Sequence, residues 1–524
     1  MSQTASPSAP PALPPSSGPA ATAATARGLR KLAAIAATFA LLGLATYALP
    51  GSQRLRPWVP GEGVPVARMF ADSEGELTEL PEFAEAAVQS NESANHAQVG
   101  DRLGPQVMQN LGEDPGDAQG PAAPGAAGPA SGSRERVLAS EYEGITQHIE
   151  HPDALKAFFT KLAAAARGQA GAIARVAHYG DSAVAADAIT STARRRLQQR
   201  FGDSGHGFVL IARGSMHYGH KDVLQRSSGG WEVNSIVNLG LRPGLYGYGG
   251  VMARGGGGER AYFGTVSDGT LGTRVSRFEL FYQKGRGSGS LELKVDGQRK
   301  GVIQTRASKT EDAFHVIEVP DGPHQLAIKA LGPPSRLYGV VLERGTPGVV
   351  YDSLGIVGAI AERLLGAEPE HIAGQIAHRD PDMLVLAFGG NESAYQWLNI
   401  EQYERDLTKV VEHMRRGKPK MSCLVFGPLD QGERDKRGKV VTVKVLPKIV
   451  GAQRRVAEQQ GCAFFDAFAA MGGEGAMGKW TKGRPRLATS DLRHATPAGY
   501  EVIGNMYYKA LLEAFAAFTA RGGT

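Results

Sequence analysis

The sequence predicts an α/β fold: a parallel sheet with helices on both faces that begins, is interrupted by an inserted β-sandwich, and resumes. Three observations predict it. Short apolar runs at Ile173 to His178, Val349 to Tyr351, Met383 to Phe388, Cys423 to Phe426 and Ala463 to Phe465 are separated by helical stretches, the pattern of successive βα units. Between about Lys221 and Pro347 the period changes to two. Leu291, Leu293 and Val295 alternate with Glu292, Lys294 and Asp296 before an Asp-Gly pair, and Leu326, Ile328 and Ala330 alternate after Asp321-Gly322, which predicts antiparallel β-structure. Finally, the residues able to do chemistry fall at the ends of the apolar runs, where open parallel sheets gather their ligands.

The chain has 524 residues, and its first part does not read as folded. Residues 1–28 are mostly Pro, Ala, Ser and Thr. They bury too little apolar surface to offset ordering entropy and are expected to be a disordered tail. Leu32 to Leu49 follows as 18 consecutive uncharged residues after Arg27, Arg30 and Lys31, just long enough to cross a bilayer. A cleaved signal peptide competes with an uncleaved anchor over residues 29–50; no clean small-x-small site follows the apolar run, and the anchor is the expectation. Basic residues flank the run more heavily before than after, where Arg54 and Arg56 stand, which puts the bulk of the chain outside the cytoplasm. Residues 51–138, rich in Gly, Pro, Ala and acids, read as a low-complexity linker.

A net charge of +6 is modest for this length, and no basic stripe with interleaved aromatics stands out, so nucleic acid is not an expected partner. Only Cys423 and Cys462 occur, which excludes a disulfide scaffold. Each begins an apolar run, and those two strands can be neighbours; the reading is two buried thiols, with a disulfide open to them in an oxidising compartment.

Pro152 to Ala166 places Leu155, Phe158, Phe159 and Leu162 on one helical face, with Pro152 suited to a first turn. After the run Ile173 to His178 come Gly180-Asp181-Ser182 and then a helix from Val184 to Phe201, with Ile189, Ala193 and Leu197 on one face. Ser182 therefore sits in a strand-to-helix turn, which exposes Oγ and brings backbone N–H groups close by.

Three further blocks complete a chemistry. Gly358 follows the run at Val349 to Tyr351; Asn391 follows the run that ends at Phe388; Asp491 and His494 stand three apart just before Pro497 and the C-terminal helix. Each alone has a structural explanation, as a loop glycine, a turn-capping Asn or an Asp beside a surface His. Together they supply a nucleophile in Ser182, a base in His494 and a carboxylate in Asp491 that fixes the imidazole tautomer. The N–H groups of Ser182 and Gly358 and the amide of Asn391 then form an oxyanion hole.

This arrangement resembles the SGNH, or GDSL-type, hydrolase superfamily, over about residues 139–218 and 348–524. The family's four named residues correspond to Ser182, Gly358, Asn391 and His494, with Asp491 the usual acid. Two departures stand out: Ala183 replaces a common leucine, and Glu392 follows the Asn where aspartate is commoner. The resemblance implies a flavodoxin-like doubly wound sheet in two parts, 139–220 and 348–524, with a β-sandwich or jelly-roll at 221–347. A β-module between the Ser and Gly blocks looks like the Gram-negative peptidoglycan O-acetylesterases, in which a carbohydrate-binding-type module interrupts the hydrolase. That implies a carbohydrate O-acetylesterase held in the bacterial inner membrane by a single N-terminal helix, its catalytic part in the periplasm and its substrate an acetylated glycan, peptidoglycan foremost. An O-acetyltransferase using the same residues and a catalytically vestigial glycan-binding protein are the rival readings. Trp231, Tyr246, Tyr248 and Tyr338 in the module are of a kind that stacks on sugars, but aromatics in a small β-sandwich are more often core. His178, His206, His217, His220, His371 and His378 show no metal-ligand spacing, and no zinc cluster, phosphate loop or dinucleotide fingerprint is present, so neither metal nor cofactor is expected.

Overall fold

The structure is a computed structural model and describes residues 134–523 apart from Leu239 and Gln396. The expected tail (1–28), anchor (29–50) and most of the linker (51–138) lie outside the described residues. Among the described residues no helix is long and apolar enough to cross a membrane.

Along the chain, β1 (Ile149–Glu150), α1 (Lys156–Ala166), β2 (Ile173–Gly180) and α2 (Ala188–Phe201) come first. Nine strands follow: β3 (Gly207–Leu210), β4 (Leu224–Ser227), β5 (Glu232–Ser235), β6 (Val251–Gly264), β7 (Val275–Lys284), β8 (Ser290–Val295), β9 (Gln298–Gln304), β10 (Glu311–Gly322) and β11 (Gln325–Glu343). The α/β pattern resumes with β12 (Gly348–Gly355), α3 (Pro369–Arg379), β13 (Met383–Ala387), α4 (Ile400–Arg415) and β14 (Ser422–Phe426). A hairpin of β15 (Gly432–Arg434) and β16 (Val440–Thr442) precedes α5 (Leu446–Gln459), β17 (Ala463–Phe465) and the long α6 (Pro497–Ala520).

The first sheet has the order β1-β17-β14-β13-β2-β12, parallel throughout except for β1 against β17. Its parallel strands follow the flavodoxin-like order, with β12 and β13 on opposite sides of β2. The switch point therefore lies at the carboxyl end of β2, where Ser182 begins. Both faces are buried by period-two alternation. Ala174, Val176, Met383, Val385, Leu424 and Phe426 pack with α1, α2 and α6, whereas Ala177, Tyr179, Leu384, Leu386, Cys423 and Val425 pack with α3, α4 and α5. The strands thus read as unbroken apolar runs because each face has a helical cover.

Two local expectations are corrected. The helix expected from Val184 to Phe201 is broken: one helical turn spans Ser182–Ala185, and α2 begins only after Asp187, which is left-handed at φ 50°. The buried Asp187 carboxylate accepts from both Arg194 terminal nitrogens, from Thr190 Oγ1 and from the Lys221 backbone N–H, and these bonds compensate the local cost. The two cysteines are joined as a disulfide, not kept as thiols. Leu424 pairs with Ala463 in adjacent parallel strands, so the preceding residues Cys423 and Cys462 face each other, with Cα atoms 4.6 Å apart, inside the range a disulfide requires.

The second sheet is antiparallel and holds nine strands, β3 to β11. Gly207–Leu210 already belongs to it, ahead of residue 221, by pairing with the end of β11; its four residues are all buried and carry no alternation to mark them. The alternating residues Leu291, Leu293, Val295, Leu326, Ile328 and Ala330 point into a buried cluster of the module's own. Asp296 and Gly297 both have positive φ, at 51° and 76°, and join β8 to β9 in the tight hairpin their sequence predicts. Asp321-Gly322 makes no such hairpin: β10 pairs with β7, while β11 pairs with β3, β6, β7 and β8. The Asp321 carboxylate is taken up instead by Arg274 and Arg344.

The two sheets share a core. Phe208, Tyr246, Tyr248, Phe281 and Tyr338 of the antiparallel segment are buried in the same cluster as Tyr179, Leu354, Ile356 and Leu364. A buried ion network reinforces the join. Arg379 of α3 donates to both oxygens of Asp352 in β12 and to Glu343 in β11, Arg175 of β2 forks onto Glu343, and Asp352 also accepts from the Phe208 N–H and the Tyr248 hydroxyl. Burial alone would raise the Glu343 carboxyl, but Arg379 and Arg175 outweigh it and bring it down to about 2.

Candidate active site

The loops that carry Ser182, Gly358 and Asn391 leave the sheet at the same end because the strands are parallel. Ser182 follows β2, the Gly358 loop follows β12, the Asn391 loop follows β13, and the segment after β14 carries Gln431.

The serine turn is tightly built. Asp181 caps it, its Oδ1 accepting from the Ala183 N–H at 3.1 Å. Ser182 opens the turn, so its own N–H precedes the first intrahelical bond, from Ala185 to the Asp181 carbonyl, and has no helical acceptor. Behind it the turn presses against the end of β12: a Cβ added to Gly355 would lie 1.9 Å from the Ala185 nitrogen, so only glycine admits the approach. Ser353 Oγ donates to the Val184 carbonyl and ties the same turn to β12.

The loop from Thr489 to His494 is pinched by hydrogen bonding between the Thr489 N–H and the His494 carbonyl. Leu492 takes φ 61° and buries its side chain, a strained conformation for a leucine. The inversion puts Asp491 and His494 on one side. Ser182 Oγ lies 3.2 Å from His494 Nε2, and His494 Nδ1 lies 2.7 Å from Asp491 Oδ2. Both members of the His–Asp pair are about half exposed. The other Asp491 oxygen accepts from Thr489 Oγ1 and from the backbone N–H groups of Arg493 and His494. Partial burial would raise this carboxyl, but these bonds and the His494 contact hold it well below the usual carboxylate range, so it stays an anion beside the imidazole.

Asn391 donates its Nδ2 to the Ala359 carbonyl at 2.8 Å. The bond fixes the amide orientation and leaves one N–H hydrogen free. Gly358 is exposed at φ 77° with open space where a Cβ would stand. It borders the site through Ala359 but does not line the cavity beside Ser182. That cavity has a volume of about 290 Å³, and Ser182, Asn391 and His494 line it with Asp181, Gln431, Arg493 and Tyr500. Burial pushes Asp181 up to about 6 and Tyr500 further up its own scale.

The sequence pattern singles out the departure at Glu392 but not its task. Glu392 is buried, and its two oxygens accept from the Ala361 and Gly389 N–H groups, at 2.9 Å each. It clamps the Gly358 loop to the Asn391 loop. Burial, with Asp181 nearby, pushes this carboxyl up to about 7. Gln431 was not picked out at all. Its Oε1 accepts from Ser393 Oγ and Arg493 Nη1, which joins the Asn391 loop to the His494 loop. Its place just past the apolar run of β14 was the available signal. In the antiparallel segment Tyr246, Tyr248 and Tyr338 are core residues, and Trp231 is partly buried with Nε1 donating to the Arg260 carbonyl. Among the described residues no group of three or more His, Cys, Asp or Glu is placed to hold a metal ion.

Residues 324–502 match the GDSL-like lipase/acylhydrolase family. The match includes Gly358, Asn391, Asp491 and His494 and leaves out Ser182, which lies beyond the interrupting strands. No curated protein sequence matches the chain. Among solved structures, that of a peptidoglycan O-acetylesterase is similar at 24% identity and a TM-score of 0.59, covering 69% of this chain and 96% of the other. A GDSL-like lipase from Bacteroides thetaiotaomicron is 18% identical over 32% of this chain and 76% of its own, with a TM-score of 0.23. A family two carbohydrate esterase from Clostridium thermocellum is 10% identical over 56% of this chain and 99% of its own, with a TM-score of 0.24. The chain therefore has the fold of the SGNH hydrolases, and its residues 324–502 are similar to the GDSL-like lipase/acylhydrolase family.

Proposed function

We propose that this chain is a serine esterase that removes O-acetyl groups from a cell-envelope polysaccharide, with peptidoglycan the leading substrate, through an acyl-enzyme on Ser182. The observation that carries the reading is the continuous line Ser182 Oγ, His494 Nε2, His494 Nδ1, Asp491 Oδ2, with contacts of 3.2 and 2.7 Å. In that line Ser182 attacks the acetyl carbonyl, and His494 takes its proton and returns it to the sugar oxygen as the alcohol leaves. Water then attacks the acyl-enzyme with His494 again as base, releasing acetate and restoring Ser182. Asp491 remains ionised and stabilises the imidazolium. The remaining Asn391 N–H and the backbone N–H groups of Ser182 and Gly358 serve the oxyanion.

A cavity of about 290 Å³ suits a small acyl group better than a long lipid chain. The Cys423–Cys462 disulfide supports an oxidising compartment. With residues 29–50 read as an anchor, it favours a single-pass protein of the bacterial inner membrane whose catalytic part faces the periplasm. The test is acetate release from O-acetylated peptidoglycan by the full-length protein beside Ser182→Ala. Release that disappears in the variant is expected. Acetyl groups appearing on an added acceptor glycan, in place of free acetate, would reassign the chain as a transferase; no turnover of polymer or of aryl acetates would leave a binding protein.

A further inference from the structure

We infer that Tyr395 and Trp397 form a stacking platform on which the glycan strand lies while its ester enters the serine pocket; this rests on the esterase reading above. Trp397 is 95% exposed and Tyr395 54% exposed. Leaving an indole in water forgoes the stabilisation that burying its apolar area would bring. The Tyr395 N–H donates to the Glu392 carbonyl and the Leu398 N–H to the Tyr395 carbonyl. Leu398 and Ile400 pack against the main core, and Asn399 caps α4 by accepting from the Gln402 N–H. Tyr395 is thus tied to the Asn391 loop and Leu398 to the core, while the Trp397 ring stays exposed.

Its position gives the platform its use. The segment continues directly from Asn391, and Ala394, immediately before Tyr395, lines the serine cavity. A cavity of about 290 Å³ admits an acyl group and little of a polymer, so the sugars flanking the ester must lie along its rim. Aromatic faces there suit a pyranose: the ring's C–H face meets the electron-rich face of the indole or phenol, with large contact area at low entropic cost. Tyr246, Tyr248 and Tyr338 of the antiparallel segment are buried and do not compete for this role.

The experiment uses the full-length protein and its Trp397→Phe, Trp397→Ala and Tyr395→Ala/Trp397→Ala variants. For each, kcat/KM is measured on O-acetylated peptidoglycan and on p-nitrophenyl acetate. The ratio of the two is expected to fall about tenfold in the double variant, through KM, and to be largely kept by Trp397→Phe. A ratio that does not move overturns the platform. Should the parent hydrolyse neither substrate, the esterase reading fails and the platform is judged by co-sedimentation of Ser182→Ala with the same polymer. Sedimentation lost on adding Trp397→Ala supports it; equal sedimentation overturns it. Self-association or binding to phosphatidylglycerol vesicles that Trp397→Ala abolishes, with the polymer ratio unmoved, would give the surface to a second copy or to a lipid.

Discussion

Glu392 accepts the Ala361 backbone N–H at 2.9 Å, so one buried carboxylate sets the distance between the loop that carries Gly358 and the loop that carries Asn391. Its other oxygen holds Gly389, and a glutamine cannot satisfy both donors, because its amide nitrogen would face one of them. Glu392→Gln is expected to lower kcat more than it raises KM, as the oxyanion donors drift apart. A second readout follows from the raised carboxyl. A group that binds its proton more tightly when folded contributes fully below its unfolded pKa and loses that contribution as pH rises through the folded value. The stability of the parent relative to Glu392→Gln should therefore fall between pH about 4.5 and about 7, by about 3 kcal/mol. Urea titrations at several pH values check it; a pH-independent difference would contradict it.

Asn391→Ala removes the only side-chain donor assigned to the oxyanion. Turnover on an aryl acetate should drop by about 10²–10³ with little change in KM. Near-normal kcat would remove Asn391 from the oxyanion role.

Asp491→Asn replaces the anion that His494 faces with a neutral amide. A loss in kcat on the order of 10⁴ is expected, with the melting temperature nearly kept, since Asp491 is about half exposed. In the parent, Asp491 stays ionised well into acid, so its own protonation should add nothing to the acid limb of kcat/KM near neutral pH.

Arg379→Met strands the buried Asp352 carboxylate and takes one arginine from Glu343, which keeps Arg175, at the join between the two sheets. The expected cost is about 3–5 kcal/mol, read from the urea midpoint. Asp352→Asn added to Arg379→Met should recover part of it, because it removes the uncompensated charge.

The disulfide closes a loop across a sequence separation of 39. By chain entropy, Cys423→Ser/Cys462→Ser should cost about 4 kcal/mol, and reductant should lower the melting temperature of the parent but not of the double variant. Equal sensitivity to reductant would argue against the bond.

Much of the architecture was legible because it repeats. Five apolar runs between helical stretches announce a doubly wound sheet, and Leu291, Leu293 and Val295 announce a strand whose one face is buried. Register and partner choice were not legible. Asp321-Gly322 reads like a hairpin turn, yet the arginines at 274 and 344 claim the aspartate and β10 and β11 find other neighbours. Gly207–Leu210 is buried on all sides and so carries no period to assign it to either sheet.

The residue types and their order along the chain determined the reaction class: a serine after a strand, an Asn after another, and an Asp and His three apart before the last helix. Only the tertiary structure decided which of these groups meet and what holds them there. Ser182 and His494 are 312 positions apart, and their contact depends on where β2 lies in the sheet and on the inverted Leu492 turn. Glu392, Gln431 and Trp397 acquire their roles the same way. A side chain's chemistry is written in the sequence, but its burial, its partners and the strain it bears arise from contacts between segments that no local pattern encodes.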